Sequence, residues 1–199
     1  MPAYRLCPQL VCHMRFLILR AYDIDDNNKP DVVYLDFYDD TLATPLALEA
    51  AVFDIKGDGR FDWKLADDIN NNGVTDGLDE IMAIEFAKQF LEFNWFSPVV
   101  FIDKYLKVFT EDFDGNGMPD TVRLHFHVGQ GEPRDETLAY TAALYISGDG
   151  SGKGASLSWD VNNDGRINLV DKELVQRFSR NFLVFGWHDG CQSKSYQLM

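Results

Sequence analysis

One ordered series of features occurs twice in this chain, and the repetition limits the folds open to it. A strand-like run, an acidic turn, two more strand-like runs, a Gly-Asp-Gly turn, a short strand, an acidic loop and a helix run from Arg15 to Trp95. The series returns from Lys104 to Trp187. Asp23, Asp25, Asn27, Pro30 and Asp31 recur as Asp112, Asp114, Asn116, Pro119 and Asp120. Asp68, Asn70, Gly73 and Asp79 recur as Asp160, Asn162, Gly165 and Asp171. Phe86, Phe90, Leu91, Phe93 and Trp95 recur as Phe178, Phe182, Leu183, Phe185 and Trp187. Polar positions and apolar spacing are kept together, which marks an internal duplication.

The apolar pattern sets the packing. Val33, Leu35 and Phe37 alternate with Val32, Tyr34 and Asp36, and Val122, Leu124 and Phe126 alternate with Thr121, Arg123 and His125. Period two means a strand with one buried face. Met82, Phe86, Phe90 and Phe93 recur at three and four residues, a helical stripe for a core rather than a cofactor box. The pattern predicts an α+β fold of two tandem repeats, each a small antiparallel β-sheet covered by one helix. The expected divisions are an N-terminal segment 1–14, repeats over 15–97 and 98–188, and a tail 189–199. The pattern leaves open whether the halves share a sheet or pack as a pseudo-symmetric pair.

The acidic loops carry the chemistry. In Asp160–Asp171, the side chains of Asp160, Asn162, Asp164, Asn168 and Asp171 stand at loop positions 1, 3, 5, 9 and 12. Gly165 stands at position 6, and the Arg166 carbonyl is available at position 7. Alternating oxygens around a tight turn converge on one point. That suits calcium, which takes six to eight oxygens at about 2.3–2.6 Å. Asp68, Asn70, Asn72, Asp76 and Asp79 repeat the spacing, with Gly73 at the turn and the Val74 carbonyl at position 7. Both loops close with Asp, one methylene shorter than the usual bidentate Glu. Each leads into an amphipathic helix and follows a short strand-like run.

The two turns are shorter versions. One offers Asp23, Asp25, Asn27 and Asp31 with the Lys29 carbonyl. The other offers Asp112, Asp114, Asn116 and Asp120 with the Met118 carbonyl. Position 12 is Tyr34 or Arg123, so the closing ligand of the longer loops is missing. Pro30 and Pro119 set φ before the last acid and start a strand. Asp54–Asp62 has Lys56 where a ligand belongs and reads as a hairpin turn, as does Gly148–Gly150. Each of the four cages holds three Asp at ligand positions, twelve of the thirty-two acidic residues. Four calcium ions would take the net charge from −14 to −6, since −14 + 4 × 2 = −6. Two sites are expected, in the helix-linked loops Asp160–Asp171 and Asp68–Asp79, which should bind more tightly than the turns, and up to four with the turns.

A loop with an exiting helix, no helix before it, Asn at position 3 and Asp at position 12 resembles the half EF-hand of dockerin modules. Asp160–Phe178 and Asp68–Phe86 carry the resemblance, about a fifth of the chain. It implies that each covering helix follows a half EF-hand calcium loop. The small hydroxyl pair that dockerins use to recognise cohesin is Gly77-Leu78 and Leu169-Val170 here, so the resemblance implies calcium and not cohesin. The two turns are similar to the calcium turns of FG-GAP-type β-repeat proteins. Both families imply an extracellular or cell-surface setting.

Composition excludes other classes. With 46% hydrophobic and 14% aromatic residues, the chain reads as globular. A net charge of −14 argues against nucleic acid and anionic membranes. Arg5, Pro8, His13 and Arg15 interrupt the first twenty residues, which read as neither a secretory signal nor a membrane span. That keeps a cytoplasmic location as the alternative. Cys7, Cys12 and Cys191 are an odd number; a Cys7–Cys12 bridge stays open. No catalytic residue stands out. His125 and His127 read as a polar strand face, and Gly148–Gly154 as a hairpin tip without P-loop spacing. The expected function is a calcium-stabilised structural module, or one that engages a protein or carbohydrate partner. An intracellular calcium sensor or buffer, and a hydrolase or its accessory domain, are the alternatives.

Overall fold

The computed structural model describes residues 14–97, 103–114, 116–129, 135–146 and 152–188. The three cysteines, His13, the Gly148–Gly150 turn and the tail 189–199 lie outside them. The first half runs β1 (Arg15–Tyr22), β2 (Val32–Asp39), β3 (Leu46–Phe53), β4 (Trp63–Ala66) and α1 (Gly77–Leu91). The second runs β5 (Lys104–Glu111), β6 (Thr121–Val128), β7 (Leu138–Ile146), β8 (Gly152–Leu157) and α2 (Leu169–Val184).

The eight strands of the described residues belong to one antiparallel sheet, in the order β4-β3-β2-β1-β5-β6-β7-β8. This overturns the expected pair of tandem repeats, each a small sheet under its own helix. The joint is β1 against β5, where Leu17 faces Val108 and Leu19 faces Leu106. Period-two patterning reports which face of a strand is buried, not which strand lies beside it. Two separate sheets would leave β1 and β5 as long free edges, and pairing them removes both.

Both helices lie on one face, over the fully buried Leu17, Leu19, Val33, Leu35, Leu106 and Leu124. The helices also cross between halves. At its start α1 packs on β3 and β4, but Phe93 and Trp95 at its end sit 5.4 and 5.6 Å from the Phe126 ring of β6. Likewise α2 starts on β8 and ends with Phe185 and Trp187 at 5.4 and 5.7 Å from the Phe37 ring of β2. Trp95 Nε1 donates to the Tyr105 carbonyl at 3.1 Å, and Trp187 Nε1 to the Tyr38 carbonyl at 3.2 Å. Neither half therefore has a complete lid of its own.

The helix-free face is covered by its own long side chains. Lys107 Nζ lies 4.3 Å from the Phe16 ring centre, and the Arg20 guanidinium 5.4 Å from that of Tyr105. Such stems shield apolar surface while the charged heads stay wet, and Ile18 and Tyr105 beneath them are each 1% exposed. His127 stacks on Tyr105 and meets Thr137 Oγ1 at 2.9 Å, a packed position on that face. No described helix is long and apolar enough to cross a membrane.

Candidate metal centres

Each loop is shaped first by its own leading carboxylate. Asp23 accepts from the amides of Asn27 and Asn28 at 3.1 and 2.7 Å. Asp68 does the same with Asn72 and Gly73 at 3.0 and 2.7 Å. Asp112 holds Asn116 and Gly117 at 3.3 and 2.8 Å, and Asp160 holds Asp164 and Gly165 at 3.3 and 2.6 Å. The sixth residue must then turn left-handed: φ is +88° at Gly73 and +89° at Gly165. Glycine takes that conformation without a Cβ clash. The position 5 oxygens then accept from the position 7 amides of Lys29, Val74, Met118 and Arg166 at 2.7–2.9 Å. In the last loop Asn168 Nδ2 reaches the Arg166 carbonyl at 3.4 Å.

A second carboxylate closes each loop, but from different positions. In the helix-linked loops it is position 12. Asp79 accepts from the Asn70 amide at 3.2 Å, and Asp171 from Val161 and Asn162 at 3.1 and 3.3 Å. In the strand turns it is position 9. Asp31 accepts from Asp25 at 3.1 Å, and Asp120 from Phe113 and Asp114 at 2.7 and 3.4 Å. The turns thus need no residue at position 12, where the sequence has Tyr34 and Arg123. Sequence spacing alone did not reveal this exchange of roles.

Asp79 and Asp171 also cap helices. Each is fully buried and accepts from the N-cap amide, Asp76 at 2.9 Å and Asn168 at 2.8 Å. The N-cap side chains return the favour, accepting from Leu78 and Val170, each at 2.7 Å. Such capping boxes satisfy amides that the first helical turn leaves open.

The turns gather negative charge most closely. Asp23, Asp25 and Asp31 offer carboxylate oxygens within 4.8 Å of one another, and so do Asp112, Asp114 and Asp120. These are the two such trios among the described residues. Asp68, Asp76 and Asp79, and Asp160, Asp164 and Asp171, do not draw together as tightly. Near the last loop, burial and then the charges of Asp160 and Asp171 raise the Tyr140 hydroxyl pKa above its ordinary value.

A fifth loop has the same frame. Asp54 accepts from Asp58 and Gly59 at 3.1 and 2.7 Å, Asp58 accepts from Arg60 at 3.0 Å, and Gly59 has φ +82°. At its position 3, Lys56 places Nζ 2.5 Å from Asp62 Oδ1, and that contact raises the ammonium pKa. Its Asp-x₃-Asp-Gly spacing was the available signal.

The side chains in the four cages are carboxylates and amides, without His or Cys, a donor set that fits a hard cation such as calcium and not zinc. Comparison with known proteins returns no match: no family model, no curated protein and no solved structure is significantly similar.

Proposed function

We propose that the protein is a calcium-binding module in which the ion holds loops and turns shut. The observation that carries this reading is the pair of carboxylate trios, Asp23/Asp25/Asp31 and Asp112/Asp114/Asp120, at equivalent turns of the two halves. Three like charges at such distances repel, and a divalent cation relieves the repulsion. Asn27 and Asn116 add a neutral oxygen to each set. The helix-linked loops supply two further candidate sites.

The role is structural or partner-binding rather than that of a switch. A sensor exposes an apolar groove when calcium arrives. Here Phe86, Phe90, Phe178 and Phe182 are at most 2% exposed and already cover the sheet. Uncovering them would cost several kcal/mol of buried area, by the roughly 25 cal/mol per Å² rule. A module of this kind suits the outside of a cell, where sites of about 10⁻⁴–10⁻³ M are filled. Calorimetric titration with calcium tests the reading. Binding in that range supports it; absence of binding heat, with no calcium effect on melting, rejects it. Affinities near 10⁻⁷–10⁻⁵ M would instead mark a sensor.

A further inference from the structure

We propose that the outer edge of β4 is a docking strip for an extended, cationic polypeptide segment. Among the described residues, β4 ends the sheet and pairs only with β3. On the helix-free face Trp63 is 49% and Leu65 59% exposed, and the Trp63 ring lies 4.8 Å from that of Phe53. A groove of about 250 Å³ beside them is walled in part by Ile24, Phe53 and Ile55.

The opposite edge provides an internal control. Ala51 faces Leu65 and Phe53 faces Trp63, whereas the matching positions of β7, Ala143 and Tyr145, face Ser156 and Gly154 of β8. Among the described residues, the β8 edge carries only Ser and Gly at these two positions. Large apolar groups at the same two positions of β4 call for a cover, and an unpaired strand offers a ladder of backbone groups to an added strand.

Charge selects the occupant. Residues 49–67 hold Glu49, Asp54, Asp58, Asp62 and Asp67 against Lys56, Arg60 and Lys64, a net of −5 + 3 = −2. Lys56 and Lys64 are paired with Asp62 and Glu80. Asp54 is buried against its own loop amides and Asp62 is paired with Lys56, so an incoming Arg or Lys gains the exposed Glu49, Asp58 and Asp67 and the face of Trp63. A second copy of this chain, with its net charge of −14, would set like charges edge to edge. None of the five acids belongs to the four cages, so the strip goes beyond the calcium reading, although Asp25 and Asp31 of the first turn also line the groove.

The test uses the full chain in calcium buffer and two short labelled peptides, one alternating Arg and Val, the other Glu and Val. The Arg peptide is expected to bind by fluorescence anisotropy and to slow amide exchange over residues 62–66. Trp63→Ser with Leu65→Ser, matched in melting temperature to the parent, is expected to weaken binding about tenfold or more. Failure of the Arg peptide to bind, equal binding by parent and variant, or equal binding of the Glu peptide overturns the proposal. So does a dimer in sedimentation that the double substitution dissolves, which would assign the edge to a second copy.

Discussion

The ring of Phe86 stacks on that of Phe178, with centroids 4.4 Å apart and planes 22° from parallel. The two residues occupy the same place in the duplicated sequence, one on each helix. Phe86 also meets Phe185 at 4.9 Å, and Phe178 meets Phe93 at 4.9 Å, so the contact is shared equally by both halves. Phe178→Ala should therefore destabilise the whole molecule by about 3–5 kcal/mol. Urea unfolding should remain one cooperative transition with a lower midpoint. Fragments 15–97 and 98–188, made separately, should not fold. Two transitions in the full chain, or native circular dichroism from either fragment, would contradict the shared core.

The crossing of the helix ends gives a finer test. Trp95→Phe keeps the ring packing against Phe126 and Tyr140 but removes the hydrogen bond to the Tyr105 carbonyl of β5. Trp187→Phe does the same for the Tyr38 carbonyl of β2. Each should cost about 1 kcal/mol, and the exchange protection lost should lie in the half that did not supply the tryptophan. Loss confined to the tryptophan's own half would contradict the crossing.

The elements were more legible than their assembly. Alternation in Val33–Phe37 and Val122–Phe126 marks strands because it depends on neighbours two residues away. The β1–β5 joint depends on residues about ninety positions apart, for which a single strand carries no signal, so each half was read as its own small sheet and whether the halves shared one was left open. Phe93, Trp95, Phe185 and Trp187 were legible as apolar helix ends, but not as caps over the opposite half. Loop spacing picked out the acids that the structure draws together in the two turns, Asp23, Asp25 and Asp31 and Asp112, Asp114 and Asp120. It missed that Asp31 and Asp120 close the turns from position 9, since that depends on where each oxygen points. It also ranked Lys56 by its charge and so passed over the frame built by Asp54.

Asp39 supplies a pH signature. Burial disfavours its charge, but the hydrogen bonds from Thr41 and then Arg15 outweigh burial and hold its pKa below the ordinary value. A depressed carboxylate contributes stability that is present above its unfolded pKa and is lost as pH falls through the folded one. Asp39→Asn should therefore destabilise by about 2 kcal/mol at neutral pH, the scale of hydrogen bonds to a charged group. The gap from the parent should close as the pH drops below the ordinary carboxylate range. Denaturant midpoints measured across acid pH check this, and a constant gap would rule out the carboxylate charge as its source.

Asp31 and Asp171 separate ion binding from loop scaffolding. Asp171 is fully buried and caps α2. Asp171→Ala should lower the melting temperature even in EDTA, by the equivalent of about 1–2 kcal/mol for a lost cap. Asp31 lies in a partly exposed trio, and Asp31→Asn keeps an oxygen for the nearby amides. It should leave the EDTA melting curve nearly unchanged while removing part of the stabilisation that calcium adds. If both variants melt like the parent in calcium and in EDTA, neither acid has the role assigned to it.

Lys56 tests whether the loop frame itself selects a cation. In the turn cages position 3 is Asp25 or Asp114, and each sits with two other carboxylates. In the fifth loop the same position is Lys56, whose ammonium already lies on Asp62, the position 9 acid. The tethered charge stands where a free ion would be drawn, so the parent loop should ignore calcium. Lys56→Asp removes that charge and adds a carboxylate to a frame that Asp54 and Asp58 already shape. In EDTA the variant should be less stable than the parent, because carboxylates are then left facing one another. With calcium it should recover, and calorimetry should show one more ion bound per chain than in the parent. Unchanged stoichiometry in a variant that remains folded would mean that this frame does not gather an ion. The four related loops would then need evidence beyond their shared geometry.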